Sequence, residues 1–226
     1  MVFVGEGKGA DALGPFWRRL KRCGVQIEAV ATDMSPAYVG AVQRHLPEAV
    51  LVFDRFHVVK LMNDKLSDIR RELQREADRS EKDVLKGTRW LLVRGSEKLE
   101  GREAERERLE RALELNAPLA TAYYLKEDLR QLWEQASKEI AARFLEGWIE
   151  RARASGLRQL RQMADTLSLH REGLLAHYDV AISTGPLEGT NTKIQLLKRQ
   201  AFGFRDRNFF KLRIYALHEA RFTFVG

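Results

Sequence analysis

Over the first 56 residues, short apolar runs alternate with amphipathic stretches, and after them helical spacing governs nearly the whole chain. Val2–Val4 reads as the end of a strand, and Asp11 is placed to cap a helix that runs to about Cys23 and is closed by Gly24. The run from Val25 to Ala31 predicts a second strand that ends at Thr32 and Asp33. Ser35 followed by Pro36 starts a helix carrying Tyr38, Val39, Val42 and Leu46, which Pro47 ends. Ala49–Phe53 is short, apolar and rich in valine, the pattern of a buried strand. Strand, helix, strand, helix, strand predicts parallel strands with right-handed helical crossovers. Both later strands end in an aspartate, Asp33 and Asp54, and the carboxyl ends of parallel strands are where α/β proteins usually place their chemistry.

After His57 the period changes. Val58, Leu61, Met62, Leu66, Ile69 and Leu73 recur at helical spacing, and helical patterns continue to about Tyr178 with no strand alternation against them. Asn116-Ala117-Pro118 and Ser155-Gly156 divide this block into several antiparallel helices. Glu97–Leu115 is almost entirely Glu, Arg, Leu and Ala, with pairs such as Glu107 and Arg111 one turn apart, so it reads as a solvated helix face with balanced charge. Ser183-Thr184-Gly185-Pro186 then opens a helix to Arg199. On it Leu187, Ile194, Leu197 and Ala201 share one face, and Glu188, Thr192, Gln195 and Arg199 another. Gly203 marks its stop, and about Asn208–Phe222 forms a last basic helix.

A chain of 226 residues that is 44% hydrophobic can fill a real core. One cysteine, Cys23, excludes an internal disulfide framework, and no Cys or His pair has zinc-ligand spacing. No apolar run approaches membrane-spanning length and the N-terminus lacks a signal-peptide pattern, so a cytoplasmic protein without membrane partners is expected. The net charge of +7 is unevenly spread: residues 189–226 hold eight basic residues against two acids, a net +6. Phe202, Phe204, Phe209, Phe210 and Tyr215 are interleaved with that charge, which favours nucleic acid over a membrane as the polyanion bound there. The same residues also suit a helix whose aromatics are core and whose arginines are solvated.

Phosphodiester chemistry needs an activated attacking oxygen and a stabilised leaving oxyanion, and two Mg²⁺ ions about 4 Å apart supply both. Mg²⁺ prefers hard oxygen ligands, so the candidates are Asp33 at a strand end and Glu188 at a helix start. On spacing alone Asp33 is equally a helix cap beside Ser35, and Glu188 is favourable against the helix dipole whatever else it does. Asp54 and His57 read either as a catalytic pair or as a turn carboxylate with a partly buried histidine.

The segments VATDMSPAY, PEAVLVFDRFHVVK and STGPLEGTNTKIQLLKRQAFGFRD, with FFKLRIYALHE, resemble the DDE-type insertion-sequence transposases of the ISL-three group. The three blocks stand in the family's order and cover essentially the whole chain. The resemblance implies an α/β fold, predominantly helical: a partial ribonuclease-H-like core (residues 1–56), a large all-helical insertion (57–180), and a final catalytic helix with a basic C-terminal helix (181–226) completing the core. Asp33 matches the family's second catalytic aspartate and Glu188 its glutamate, both ligands of Mg²⁺ or Mn²⁺. Asp54 and His57 fall in a family signature without an assigned role. The implied function is metal-dependent DNA cleavage and strand transfer at insertion-sequence ends. Its partners are DNA, both transposon ends and target, and further copies of the chain in the active complex. Phosphate contacts are expected from Lys198, Arg199, Arg205, Arg207 and Lys211.

The family's first catalytic aspartate lies on a strand upstream of everything aligned here, and neither Glu6 nor Asp11 can replace it. The chain is therefore expected to be truncated and inactive alone, with an exposed strand edge before Asp33. The alternative is a non-catalytic DNA-binding or self-associating fragment that interferes with the full-length enzyme.

Overall fold

A computed structural model describes residues 3–6 and 10–219 of the chain, with side chains for 3–6 and 11–217. It divides into two compact units, residues 1–49 with 182–226, and residues 50–181.

In the first unit, Phe3 and Val4 are irregular backbone rather than the expected strand end, and Val2 lies outside the described residues. The Val4 amide is satisfied by the Tyr215 hydroxyl at 3.0 Å instead of by a strand neighbour. Asp11 sits inside a 3₁₀ turn, Ala10–Leu13, and does not cap the helix that follows. That helix, α1 (Gly14–Cys23), has Pro15 in its first turn, buries Trp17, and ends at Gly24, whose φ of 63° lies in the left-handed region that glycine enters without penalty. Strand β1 is only Ala29–Thr32. Residues 25–28 are irregular and Val25 is exposed, although Val25, Ile27 and Ala29 alternate with Gln26 and Glu28 as a strand face would. Helix α2 (Pro36–His45) begins after Ser35, whose carbonyl accepts the amides of Tyr38 and Val39, and it buries Ala41 and Val42. The Trp17 and His45 rings stack at 4.8 Å, which ties α1 to α2.

The second unit opens with strand β2 (Val50–Phe53), burying Val52 and Phe53. Helix α3 (Arg55–Glu76) follows at once, capped by Asp54. Its buried Val58, Met62, Leu66 and Ile69 are spaced by three and four residues, as a single helical stripe requires. Two short helices follow, α4 (Arg79–Leu85), held by a reciprocal capping box of Asp78 and Glu81, and α5 (Arg89–Val93). The expected continuous helix from Glu97 to Leu115 is broken: Ser96–Leu99 is a 3₁₀ turn, Gly101 has φ 74°, and α6 spans Glu103–Glu114. Nor is α6 solvated all round, because Leu109, Ala112 and Leu113 are buried.

Helix α7 (Ala117–Arg130) starts at the Asn116 cap, whose side chain accepts the Leu119 amide at 3.1 Å. Helix α8 (Lys138–Ala154), capped by Ser137, turns at Gly156 (φ 74°) into α9 (Arg158–Leu169), and the two pack on each other. The core there is Leu145, Trp148, Leu160, Met163, Ala164 and Leu167, and the Trp148 indole N–H donates to the Leu125 carbonyl at 2.7 Å, fastening α8 to α7. Lys126 on α7 is only 1% exposed. Its ammonium donates to the Leu92 and Arg94 carbonyls at 2.9 and 2.8 Å, pairs with Glu127, and lies 4.4 Å from the Tyr123 ring centre. Burial pushes its pKa below the ordinary lysine value. It is a strut between α7 and the end of α5. Helix α10 (Arg171–Leu175) closes the unit against β2.

The chain then returns to the first unit as α11 (Gly185–Gln200) and α12 (Arg207–Glu219). Thr190, Ile194 and Leu197 form the covered stripe of α11, whereas Leu187 is 55% exposed and Ala201 is exposed, so the stripe stops short of both ends. The last expected turn of α12, to Phe222, lies outside the described residues. The described chain is thus predominantly helical with two short strands, and no helix in it is long and apolar enough to cross a membrane.

Candidate functional site

Asp33 stands where β1 gives way to α2. Its Oδ1 accepts the Ser35 amide at 3.0 Å, which fixes the turn into the helix. The other oxygen, Oδ2, has no hydrogen bond among the described residues, so the carboxylate has capacity left after its local task. Glu188 lies in the first turn of α11, half-buried, with its own amide bonded to the Thr184 carbonyl at 3.0 Å. Its carboxylate is not engaged in any hydrogen bond or ion pair among the described residues. Both carboxylates belong to the first unit. Oxygen donors with free lone pairs are what a hard divalent cation takes.

Asp54 and His57 sit in the second unit. Asp54 caps α3, accepting the Phe56 amide at 2.8 Å, and is buried. One turn on, the His57 Nδ1 is 3.6 Å from Asp54 Oδ1, beyond hydrogen-bond length, and this buried nitrogen has no hydrogen-bond partner. The signature Asp-Arg-Phe-His therefore starts a helix through its aspartate, and the arginine reaches Glu134 at 3.3 Å.

Of the five expected phosphate contacts, Lys198, Arg199, Arg205 and Arg207 are exposed and form no ion pair among the described residues. Lys211 differs: its ammonium is 2.6 Å from Glu6, and that pairing holds the exposed Glu6 carboxyl below its ordinary pKa. The only acid in this turn, Asp206, caps α12 by accepting the Asn208 and Phe209 amides at 2.8 and 3.1 Å.

The chain matches a family model described as Transposase, that of the DDE enzymes of the ISL-three group, over residues 1–214. It belongs to that transposase family. It is 34% identical over 220 residues to the transposase for insertion sequence element IS1001 of Bordetella parapertussis, covering 96% of this chain and 54% of that protein. It is 29% identical over 229 residues to the transposase for insertion sequence element IS1557 of Mycobacterium tuberculosis, covering 91% and 51% respectively. The chain thus spans about half the length of these curated relatives. No solved structure matches it.

Two features of the chain escape a sequence reading. Arg18, Lys21 and Arg44 line a groove of about 580 Å³ between α1 and α2, floored by Trp17, and none of the three makes an ion pair among the described residues. Their scatter along the sequence gives no signal. Phe202, counted with the other aromatics of the tail, projects alone from the turn between α11 and α12.

Proposed function

We propose that this chain carries two of the metal-binding carboxylates, Asp33 and Glu188, of a transposase that cleaves DNA at insertion-sequence ends and joins it to target DNA. The observation that carries this reading is the family match together with the two carboxylates: each stands at the end of an element within one unit and keeps an unengaged oxygen. On this reading residues 1–56 are part of a ribonuclease-H-like core, residues 57–180 are its helical insertion, and 181–226 return to complete it.

Divalent cations, Mg²⁺ or Mn²⁺, when bound, supply activation of the attacking oxygen and stabilisation of the leaving one. Asp33 and Glu188 would hold them through hard oxygen atoms, and the Ser35 amide on Asp33 Oδ1 fixes that carboxylate while leaving its other oxygen unengaged among the described residues. Lys198, Arg199, Arg205 and Arg207 hold phosphates and fix the register of the duplex, contributing position rather than base identity. Two carboxylates leave a cation mostly hydrated and loosely fixed, so on this reading a further carboxylate joins them in the active enzyme, which works as an assembly of several copies, and residues 1–226 alone cut negligibly.

The test is cleavage of a labelled element-end duplex in Mg²⁺ or Mn²⁺ by this chain and by a version extended upstream. Cutting by the extended form alone, abolished by Asp33→Ala and by Glu188→Ala, is the expected result. Cutting that survives both substitutions removes the two residues from the chemistry. A second reading, a non-catalytic DNA-binding or self-associating fragment that interferes with the full-length enzyme, is supported by the exposed cations of the α11–α12 turn, whose DNA contact needs neither carboxylate. It takes over if both forms bind the duplex and neither cuts.

A further inference from the structure

Helix α11 closes with a pair of backbone hydrogen bonds, Gly203 N–H to the Lys198 carbonyl at 2.9 Å and Phe202 N–H to the Arg199 carbonyl at 3.1 Å. That closing pattern requires a left-handed residue immediately past the helix, a place glycine fills because it has no Cβ to clash. Here the residue is Phe202, with φ 49°, and Gly203 after it is also at positive φ, 99°. Among the described residues it is the one non-glycine with a positive φ.

Folding does not explain the choice. The Phe202 side chain is 101% exposed, so its ring gains nothing from burial. The neighbouring aromatics pack without it: Phe204 stacks on Phe210 at 4.7 Å and meets Phe209 at 6.1 Å. Backbone conformation and exposure both favour another residue at this position, and such conflicts collect where a side chain is held out for use. The turn carries positive charge: Lys198 and Arg199 on the last turn of α11 and Arg205 after it are exposed and unpaired among the described residues, and the one acid in the turn itself, Asp206, is committed to capping α12. A flat apolar ring presented amid free cations suits a polyanion that also carries flat apolar surfaces, which is a nucleic acid with an accessible base.

We propose that Phe202 is a base-stacking residue, its ring lying on a nucleobase exposed at an unpaired or unstacked step while Lys198, Arg199 and Arg205 hold the flanking phosphates. The proposal rests on the DNA-binding reading above and deepens it by naming the substrate feature this turn takes: DNA with a disrupted stack rather than intact duplex. An aromatic that inserts at such a step gains most where unstacking has already been done.

The experiment is binding of the full chain to a gapped duplex carrying 2-aminopurine in the gap, with the same sequence fully paired as the comparison, read by anisotropy and by 2-aminopurine fluorescence. Wild type is expected to prefer the gapped form and to change the 2-aminopurine signal. Phe202→Gly should bind the gapped duplex roughly 5- to 150-fold more weakly and abolish the change, with a melting temperature equal to or above wild type, since glycine suits a positive φ. Phe202→Trp should keep both signals. Lys198→Ala should weaken binding to both duplexes alike and leave the 2-aminopurine change in the bound complex intact. If wild type binds with steep salt dependence and Phe202→Gly matches it on both duplexes, the stacking proposal is overturned and DNA binding stands. If wild type binds neither duplex, both fall. If Phe202→Gly alters only self-association in sedimentation, the ring is a contact between copies of the chain, and the proposal is again overturned.

Discussion

Gly173, on α10, faces β2 so closely that a methyl group has no room. A Cβ there would lie 2.5 Å from both Cδ2 and Cε2 of Phe53 and 3.2 Å from the Leu51 carbonyl oxygen. Carbon atoms in good contact are about 3.5–4.0 Å apart, so the overlap is on the order of 1 Å against two ring atoms at once. The ring cannot easily yield, since Phe53 is 3% exposed and packs edge-on against His170 at 4.8 Å. Overpacking of this kind costs about 1–3 kcal/mol, whereas alanine in an unobstructed helix gains about 0.5–1 kcal/mol over glycine. We therefore expect Gly173→Ala to destabilise the chain by about 1–2 kcal/mol, and each kcal/mol moves the melting temperature of a chain this size by about 2–4 °C. Gly147→Ala on α8 is the control, because nothing lies within 4 Å of its added Cβ and it should stabilise. Thermal and urea melts followed by far-ultraviolet circular dichroism give both values, and adding Phe53→Leu to Gly173→Ala should recover part of the loss, a coupling that independent sites do not show. If Gly173→Ala behaves like Gly147→Ala, the packing of α10 on β2 described here is wrong.

Three further outcomes follow from other parts of the chain. Lys126→Met should cost about 1–3 kcal/mol, because the buried Leu92 and Arg94 carbonyls lose their donor; a urea midpoint equal to wild type would remove Lys126 from the stabilising struts. Burial lowers the His170 pKa below its ordinary 6.5, so the folded chain resists a proton that the unfolded chain accepts. Its contribution is fully present above 6.5 and falls as pH drops toward the lower folded value, so His170→Phe should flatten the loss of stability between neutral pH and about pH 5 seen in urea melts. Changing Lys198, Arg199 or Arg205 singly to Ala should weaken DNA binding across sequences and flatten the salt slope by about one per phosphate contact, while unchanged slopes would assign these residues to folding.

How far the fold could be read from the sequence depended on whether local chemistry decided the outcome. Gly24, Gly156 and Gly203 announce helix ends and all have positive φ, and Ser35-Pro36 and Asn116-Ala117-Pro118 announce starts, because caps and dihedral limits act within a few residues. Gly101 carried the same signal and breaks the Glu97–Leu115 stretch that charge pattern alone suggests is one helix. Strand limits were less legible: residues 25–28 have strand-like composition but remain irregular, since a strand needs partners that lie far away in sequence. The same distance problem governs charge. Lys211 looks as free as Arg205 until the fold brings Glu6 to it, whereas Arg205 stays exposed. Asp33 and Glu188 were legible as ends of elements. That Phe202 occupies the left-handed position while Gly203 follows it was not, because the pattern points to the glycine as the stop.

Ligation of the cleavage cations by Asp33 and Glu188 is tested most directly by metal-specific rescue. Asp33→Cys and Glu188→Cys, made singly in the upstream-extended version and assayed on an element-end duplex, should be inactive in Mg²⁺, which avoids thiolate. They should regain cutting in Mn²⁺, which accepts it more readily. Equal activity of both variants and wild type in Mg²⁺, or loss in both metals with Asp33→Asn and Glu188→Gln still cutting, would contradict the assignment.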